Sequence, residues 1–272
     1  MVFESLINPK KAERKPWEMF FIGLFYSSLG IVLSLWIFNS YASLVMVFLT
    51  VFACIPLMLG VISLEEEKSR EIESEKMLIK EHGKALSFFV FLFLGFVVSY
   101  ALWYVFTPAS VAQNIFDVQI KTISNINSEV TGNAISSSNM LLAIFFNNLK
   151  VLLFCILFAF FYGTGAIFIL GWNASVIGAA IGTFIKGALH YGFFAAFSMG
   201  LARYLTHGII EITAYFVGGL AAGIVSVAVI NHDFGSKRFR HIVTDSVDLA
   251  VLSVFLLFVA ALVEVYITPV FF

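Results

Sequence analysis

The sequence predicts an all-α fold: a polytopic transmembrane helix bundle of six to seven spans, with one short re-entrant or interfacial half-helix. Three observations lead there. Hydrophobic residues make up 60% of the 272 and charged residues only 12%, whereas a soluble domain carries about 25% charge. Apolar runs of roughly 20 residues, the length that crosses a bilayer, recur along the chain. Between those runs the sequence turns polar, and only a few isolated charges fall inside them.

The same composition narrows the function. A formal net charge of −1, with no basic patch interleaved with aromatics, argues against a nucleic-acid partner. Cys54 and Cys155 each sit alone in an apolar run and read as packed thiols rather than a disulfide or a metal site. No Ser-His-Asp order, Walker loop or dinucleotide fingerprint occurs, so no cofactor is expected. The first 17 residues lack the short apolar core and small-residue cleavage site of a secretory signal.

The first span, Trp17 to Phe38, follows Lys10, Lys11, Arg14 and Lys15. That basic flank places the N-terminus in the cytoplasm. Asn39 and Ser40 form a tight break before a second span, Tyr41 to Leu64, whose Pro56 a membrane helix can tolerate. Residues 65–84 form a charged cytoplasmic loop in which Glu66/Arg70 and Glu73/Lys76 stand at helix-supporting spacings. It reads as a solvated helical extension with a break at His82-Gly83. A third span, Ala85 to Phe106, closes an N-terminal three-helix membrane segment, residues 1–106.

Residues 107–139 contain one basic residue, Lys121, and belong outside by the same charge rule. Phe116, Ile120, Ile123, Ile126 and Val130 recur at steps of three and four, the pattern of an amphipathic helix lying on the outer surface or capping the bundle. The remainder, residues 140–272, is a glycine-rich C-terminal membrane module: 12 of the 19 glycines lie between Gly163 and Gly223. Here Met140 to Phe146 reads as an interfacial lead-in and Leu149 to Gly171 as a span that ends in a turn at Trp172 and Asn173. Ala174 to Lys186 is too short to cross and reads as the half-helix. Ala188 to Leu205 then crosses outward, Thr206-His207-Gly208 turns, Ile209 to Asn231 returns, and Val247 to Thr268 crosses to an extracytoplasmic C-terminus. Gly178/Gly182 and Gly219/Gly223 have the GxxxG spacing that lets helices approach closely, within one chain or in a homodimer. Asn173-Ala174-Ser175 matches a glycosylation sequon but falls on the cytoplasmic side.

This topology gathers Asn147, Asn148, Lys150, Arg203, His207, Glu211 and Glu264 near the outer leaflet. Lys150 and Arg203 would balance Glu211 and Glu264, and His207 and Glu211 share a helix face at i,i+4. Three uses are open. His207 and Glu211 are metal-ligand candidates, with His190 or Glu264 as a third ligand, although His190 falls on the inner side here. Intramembrane acids and histidines also build proton or ion pathways. The third use is an interhelical network that fixes helix register, each group satisfying another. Asp245 and Asp248 read as caps of the last span.

The fragments FFNNLK, YGTGAIFILGWNASVIGAAIG and HGIIEITAYFVGGLAAG resemble the core of the stage II sporulation protein M family, and RKPWEM and EVYITP extend the likeness to its archaeal members. The family's Asn doublet corresponds to Asn147 and Asn148, its Asn-Gly-type turn to Asn173, and its His-Gly-x-x-Glu signature to His207, Gly208 and Glu211. The sequence departs in having Ile210 where Pro is frequent and Trp172-Asn173 in place of Asn-Gly. In sporulating bacteria the family member is a membrane scaffold for peptidoglycan-degrading enzymes. The resemblance therefore implies a non-enzymatic scaffold or assembly protein of the cell envelope, with lipids around it and protein partners or a homodimer. A channel or transporter is the alternative, and an intramembrane metalloenzyme the third class.

Overall fold

The computed structural model describes residues 15–72, 75–131, 137–163, 165–230 and 236–271. Among these residues there is no strand, and seven helices are long and apolar enough to cross a membrane. In order they are α1 (Glu18–Ile37), α2 (Ala42–Glu71), α3 (Glu75–Phe106), the short α4 (Ala109–Ile115) and α5 (Asp117–Thr131), then α6 (Ser137–Tyr162), α7 (Ala166–Ala188), α8 (Phe193–Ile230) and α9 (Lys237–Leu262). A π-helical turn, Val263–Ile267, leads into α10 (Thr268–Phe271). Helices suit hydrocarbon because each one satisfies its own backbone, which lipid cannot do.

Successive long helices run in opposite directions. One end of the bundle, the charged end, carries the α2–α3, α6–α7 and α8–α9 joints. The far end carries the α1–α2 turn, α4, α5, the α7–α8 turn and α10. Two joints turn on glycine: Gly163 has φ 65° and Gly192 φ 93°, in the left-handed region that a side chain disfavours. The core is built around α3, whose Phe88, Leu92, Phe96 and Tyr100 are inaccessible to solvent. Gly23 of α1 and Gly95 of α3 abut so closely that a Cβ on either would strike the other helix's backbone. Outward-facing apolar residues concentrate on α6 (Leu153, Phe154, Leu157) and α9 (Val251, Phe255, Phe258). At the far end α4 and α5 cap the bundle: Phe116 is buried against the rings of Tyr100 and Tyr104, and Gln119 donates to the Ser43 carbonyl and the Ser175 hydroxyl, each at 3.1 Å.

Several sequence-based boundaries move. There is no half-helix: α7 is continuous over 23 residues, so the residues read as a turn, Trp172 and Asn173, lie inside it. The Asn173-Ala174-Ser175 sequon is therefore helical and embedded in the bundle. A single Asn does not stop a helix, and the real break is ten residues earlier at Gly163. For the same reason Asn147 and Asn148 lie within α6, which starts at Ser137 rather than Leu149. Nor is there a turn at Thr206-His207-Gly208. One 38-residue helix replaces the two expected spans, and the chain reverses at Gly192 instead. Near Gly208, Thr206 and Thr213 bond back to the carbonyls of Ala202 and Ile209 four residues earlier, as in an unbroken helix. Likewise α3 runs through His82-Gly83, and the α2–α3 joint follows Ile72. Glu73 lies outside the described residues, as does the expected N-terminal basic flank up to Arg14.

Gly178 and Gly182 pack against Tyr100 and Tyr104 of α3, Gly219 against Ala166, and Gly223 against Ile62 of α2. All four therefore serve helix packing within one chain.

Candidate functional site

The far half of the bundle brings three intramembrane polar side chains together from three helices. Asn148 of α6 is buried and donates its amide to Glu211 of α8 at 2.5 Å. The helical turn that carries Glu264 packs against α8, which carries Glu211. Glu264 is held on the π-helical turn Val263–Ile267, and such bulges occur frequently at functional sites. Beside the pair, His207 Nδ1 lies 3.2 Å from the Thr268 hydroxyl, which itself donates to the Val263 carbonyl at 3.2 Å.

Helix geometry decides which predicted residues join. Arg203, His207, Glu211 and Tyr215 recur every four residues and form one line along α8. His207 and Glu211 meet partners. Arg203, one turn further out, is exposed and stands over the Phe184 ring, 5.8 Å from its centroid. On α6, successive residues are turned by about 100°, so Asn148 points inward while Asn147 and Lys150 are exposed. Lys150 and Arg203 thus do not neutralise the two acids as expected, and Glu211 is met by the Asn148 amide instead. His190 is at the far end, not the inner side, with Nδ1 3.1 Å from the Gly187 carbonyl. Among the described residues no three His, Cys, Asp or Glu side chains converge as a metal site, and His207 and Glu211 engage different partners.

A second polar centre, at the charged end, escaped the sequence reading. Glu65, Ser69 and His82 lie within residues read as a solvated loop, yet all three are inaccessible. His82 Nδ1 lies 2.6 Å from Glu65, and Nε2 lies 3.2 Å from Asp245 of α9. Carboxylates only accept, so both ring nitrogens donate and the ring is an imidazolium. Lys68 meets Glu65 at 2.5 Å, and Ser69 donates to Asp245 at 3.2 Å. Asp245 is therefore a cross-link and not a cap. The α9 cap is Ser236, which accepts from the Phe239 amide at 2.9 Å, and Asp248 is exposed. Nearby, His241 Nε2 donates to the Ile72 carbonyl at 3.3 Å. A signal was present in the sequence: Met58, Val61, Ile62, Glu65 and Ser69 continue one buried face of α2 across the boundary where charge begins.

A family model described as stage II sporulation protein M matches residues 85–269. The chain belongs to the stage II sporulation protein M family. Comparison with curated proteins and with solved structures gave no match. The part shared with the stage II sporulation protein M family begins at the apolar part of α3 and takes in Asn148, His207, Glu211, Glu264 and Thr268. It leaves out α1, α2 and His82, so the acid pair belongs to the family core, while most of the charged-end centre lies beyond it.

Proposed function

We propose that this member of the stage II sporulation protein M family, of archaeal type, is a non-enzymatic scaffold or assembly protein of the cell envelope. In this reading it is a multi-pass protein of the cell membrane with its N-terminus in the cytoplasm and its C-terminus outside, since the basic residues gather at the charged end. One observation carries the reading: polar groups inside the bundle are engaged with one another across helices, Asn148 with Glu211 and His207 with Thr268. Groups used in this way fix helix register and give a rigid platform. Its partners are other envelope proteins or a second copy. Because the four GxxxG glycines already face helices of their own chain, those partners would meet the outer faces of α6 and α9.

Gentle extraction of the full-length chain from its native membranes tests this. The reading expects a complex of fixed stoichiometry with envelope proteins or with itself. A monomer that turns over a substrate and loses that activity on Glu211→Ala would contradict it.

A second reading, proton- or ion-coupled transport, is favoured by Glu211 and Glu264, two acids carried on helical segments that pack together, since intramembrane carboxyls are elements from which relays are built. Liposomes containing the protein and a trapped pH-sensitive dye decide it. Proton or sodium movement abolished by Glu211→Gln supports transport, and leakage no greater than that of empty liposomes rules against it.

A further inference from the structure

At the far end, the α7–α8 turn, the start of α8 and α10 enclose a half-open vestibule of about 650 Å³. Its levels follow from helix direction. α7 runs towards the turn and α8 away from it, and Arg203 stands over the Phe184 ring, 5.8 Å from its centroid, so these two residues share one level. Gly187, His190 and Tyr191 follow outward on the α7 side, and Met199 lies about one helical turn outward on α8. The cation is therefore inward of an apolar and aromatic rim, whose Tyr191, Met199 and Val270 are exposed.

That order, with the charge count, narrows the occupant. No carboxylate lines the vestibule, and among the described residues none pairs with Arg203. A guanidinium fork matches the two oxygens of a carboxylate. Further out, His190 uses Nδ1 on the Gly187 carbonyl, which leaves Nε2 for a peptide group. An occupant that satisfies the site enters acid end first and has apolar side chains behind the acid. Small-molecule sites bury most of their ligand, whereas this one is open at its outer end, which suits the end of a longer chain.

We propose that this vestibule docks the C-terminus of a partner protein, its terminal carboxylate held by Arg203 and its last apolar side chains lying along Phe184, Met199 and Val270. The inference rests on the scaffold reading and deepens it by naming the chemistry through which a partner is held.

The test uses the full-length protein in a non-ionic detergent and the fluorescence anisotropy of dye-labelled tetrapeptides, pooled over Leu, Ile, Val, Met and Phe at the last two positions. One pool ends in a free carboxylate and the other in an amide. The parent binds the acid pool at least about tenfold more tightly than the amide pool, the scale of one hydrogen bond to a charged group. Arg203→Gln removes that preference, and Arg203→Lys keeps part of it, because a lysine holds the charge but not the fork. Lys121→Gln, which removes a cation at the same end but outside the vestibule, changes nothing. A Cβ at Gly187 would meet nothing within 4 Å, so Gly187→Leu fills the space without altering a charge and weakens binding of the acid pool. That variant keeps the test decisive should Arg203→Gln fail to fold. Equal binding of the two pools, no binding of either, or equal losses in Arg203→Gln and Lys121→Gln overturn the proposal. Displacement of the acid pool by millimolar acetate alone assigns the site to small carboxylates and also overturns it. The two readings fail separately. Acid-pool binding by a chain that extracts as a monomer supports the docking site and contradicts the scaffold, and a native complex that binds neither pool does the reverse.

Discussion

The two ends of this bundle bury acids in opposite ways. At the charged end Glu65 and Asp245 flank the His82 imidazolium, with Lys68 on Glu65, so unlike charges neutralise one another. In the far half Glu211 accepts from the neutral Asn148 amide and Glu264 stands on the turn packed against α8, and among the described residues no cation pairs with either acid. The difference teaches that burial of charge has two solutions here, and they respond differently to substitution. A group paired with an opposite charge leaves a bare charge when it is removed. An acid met only by a neutral amide can be replaced by an amide without stranding an opposite charge.

The largest expected effect is at the charged end. Glu65→Ala removes the shorter of the two carboxylate contacts of His82 and the nearest one of Lys68, and breaking a buried ion pair from one side costs about 3–5 kcal/mol. Unfolding in mixed micelles of graded denaturing detergent measures this, and a loss below about 1 kcal/mol would mean that the centre is hydrated rather than sealed. Glu65→Gln keeps the shape and removes the charge, and it should cost about 1.5–3 kcal/mol, the worth of a hydrogen bond to a charged group. The same exchange in the far half, Glu211→Gln, should cost under about 1 kcal/mol, the scale of an interhelical polar contact in a membrane. Equal losses for the two glutamines would erase the distinction between the ends. Smallest of all, Asn147→Ala and Lys150→Ala face outward beside Asn148 and should stay within about 0.5 kcal/mol of the parent. A larger loss in Lys150→Ala would show that it reaches the acids after all.

Much of the architecture could be read from run length alone: an all-α bundle of long apolar helices, although two expected spans fuse into α8 and the expected half-helix lengthens into the full α7. The boundaries were harder, because a polar residue inside an apolar run looks like an end. Asn148, Asn173 and His207 each interrupt hydropathy without interrupting a helix, since their own backbone groups stay bonded; the side chains of Asn148 and His207 find partners, whereas the Asn173 Nδ2 is buried without one among the described residues. The true reversals at Gly163 and Gly192 depend on backbone conformation, and hydropathy does not see a positive φ. Among the site residues, Asn148, His207, Glu211 and Glu264 stood out as polar groups in hydrocarbon. Lys150 and Arg203 looked like their partners because charge balance was counted without helix phase. Glu65 and His82 went unseen for the opposite reason: they lie among many charges, and only the continued face from Met58 through Ser69 marks them as buried.

The central claim is that Glu211 and Glu264 act as one unit across α8 and the π-helical turn. A double-mutant cycle of Glu211→Ala, Glu264→Ala and the double variant, followed by unfolding in detergent, tests it most directly. The account predicts a coupling of about 0.5–2 kcal/mol, the double variant losing less than the two single losses combined. Losses that simply add, to within about 0.3 kcal/mol, would show that the two carboxyls do not meet.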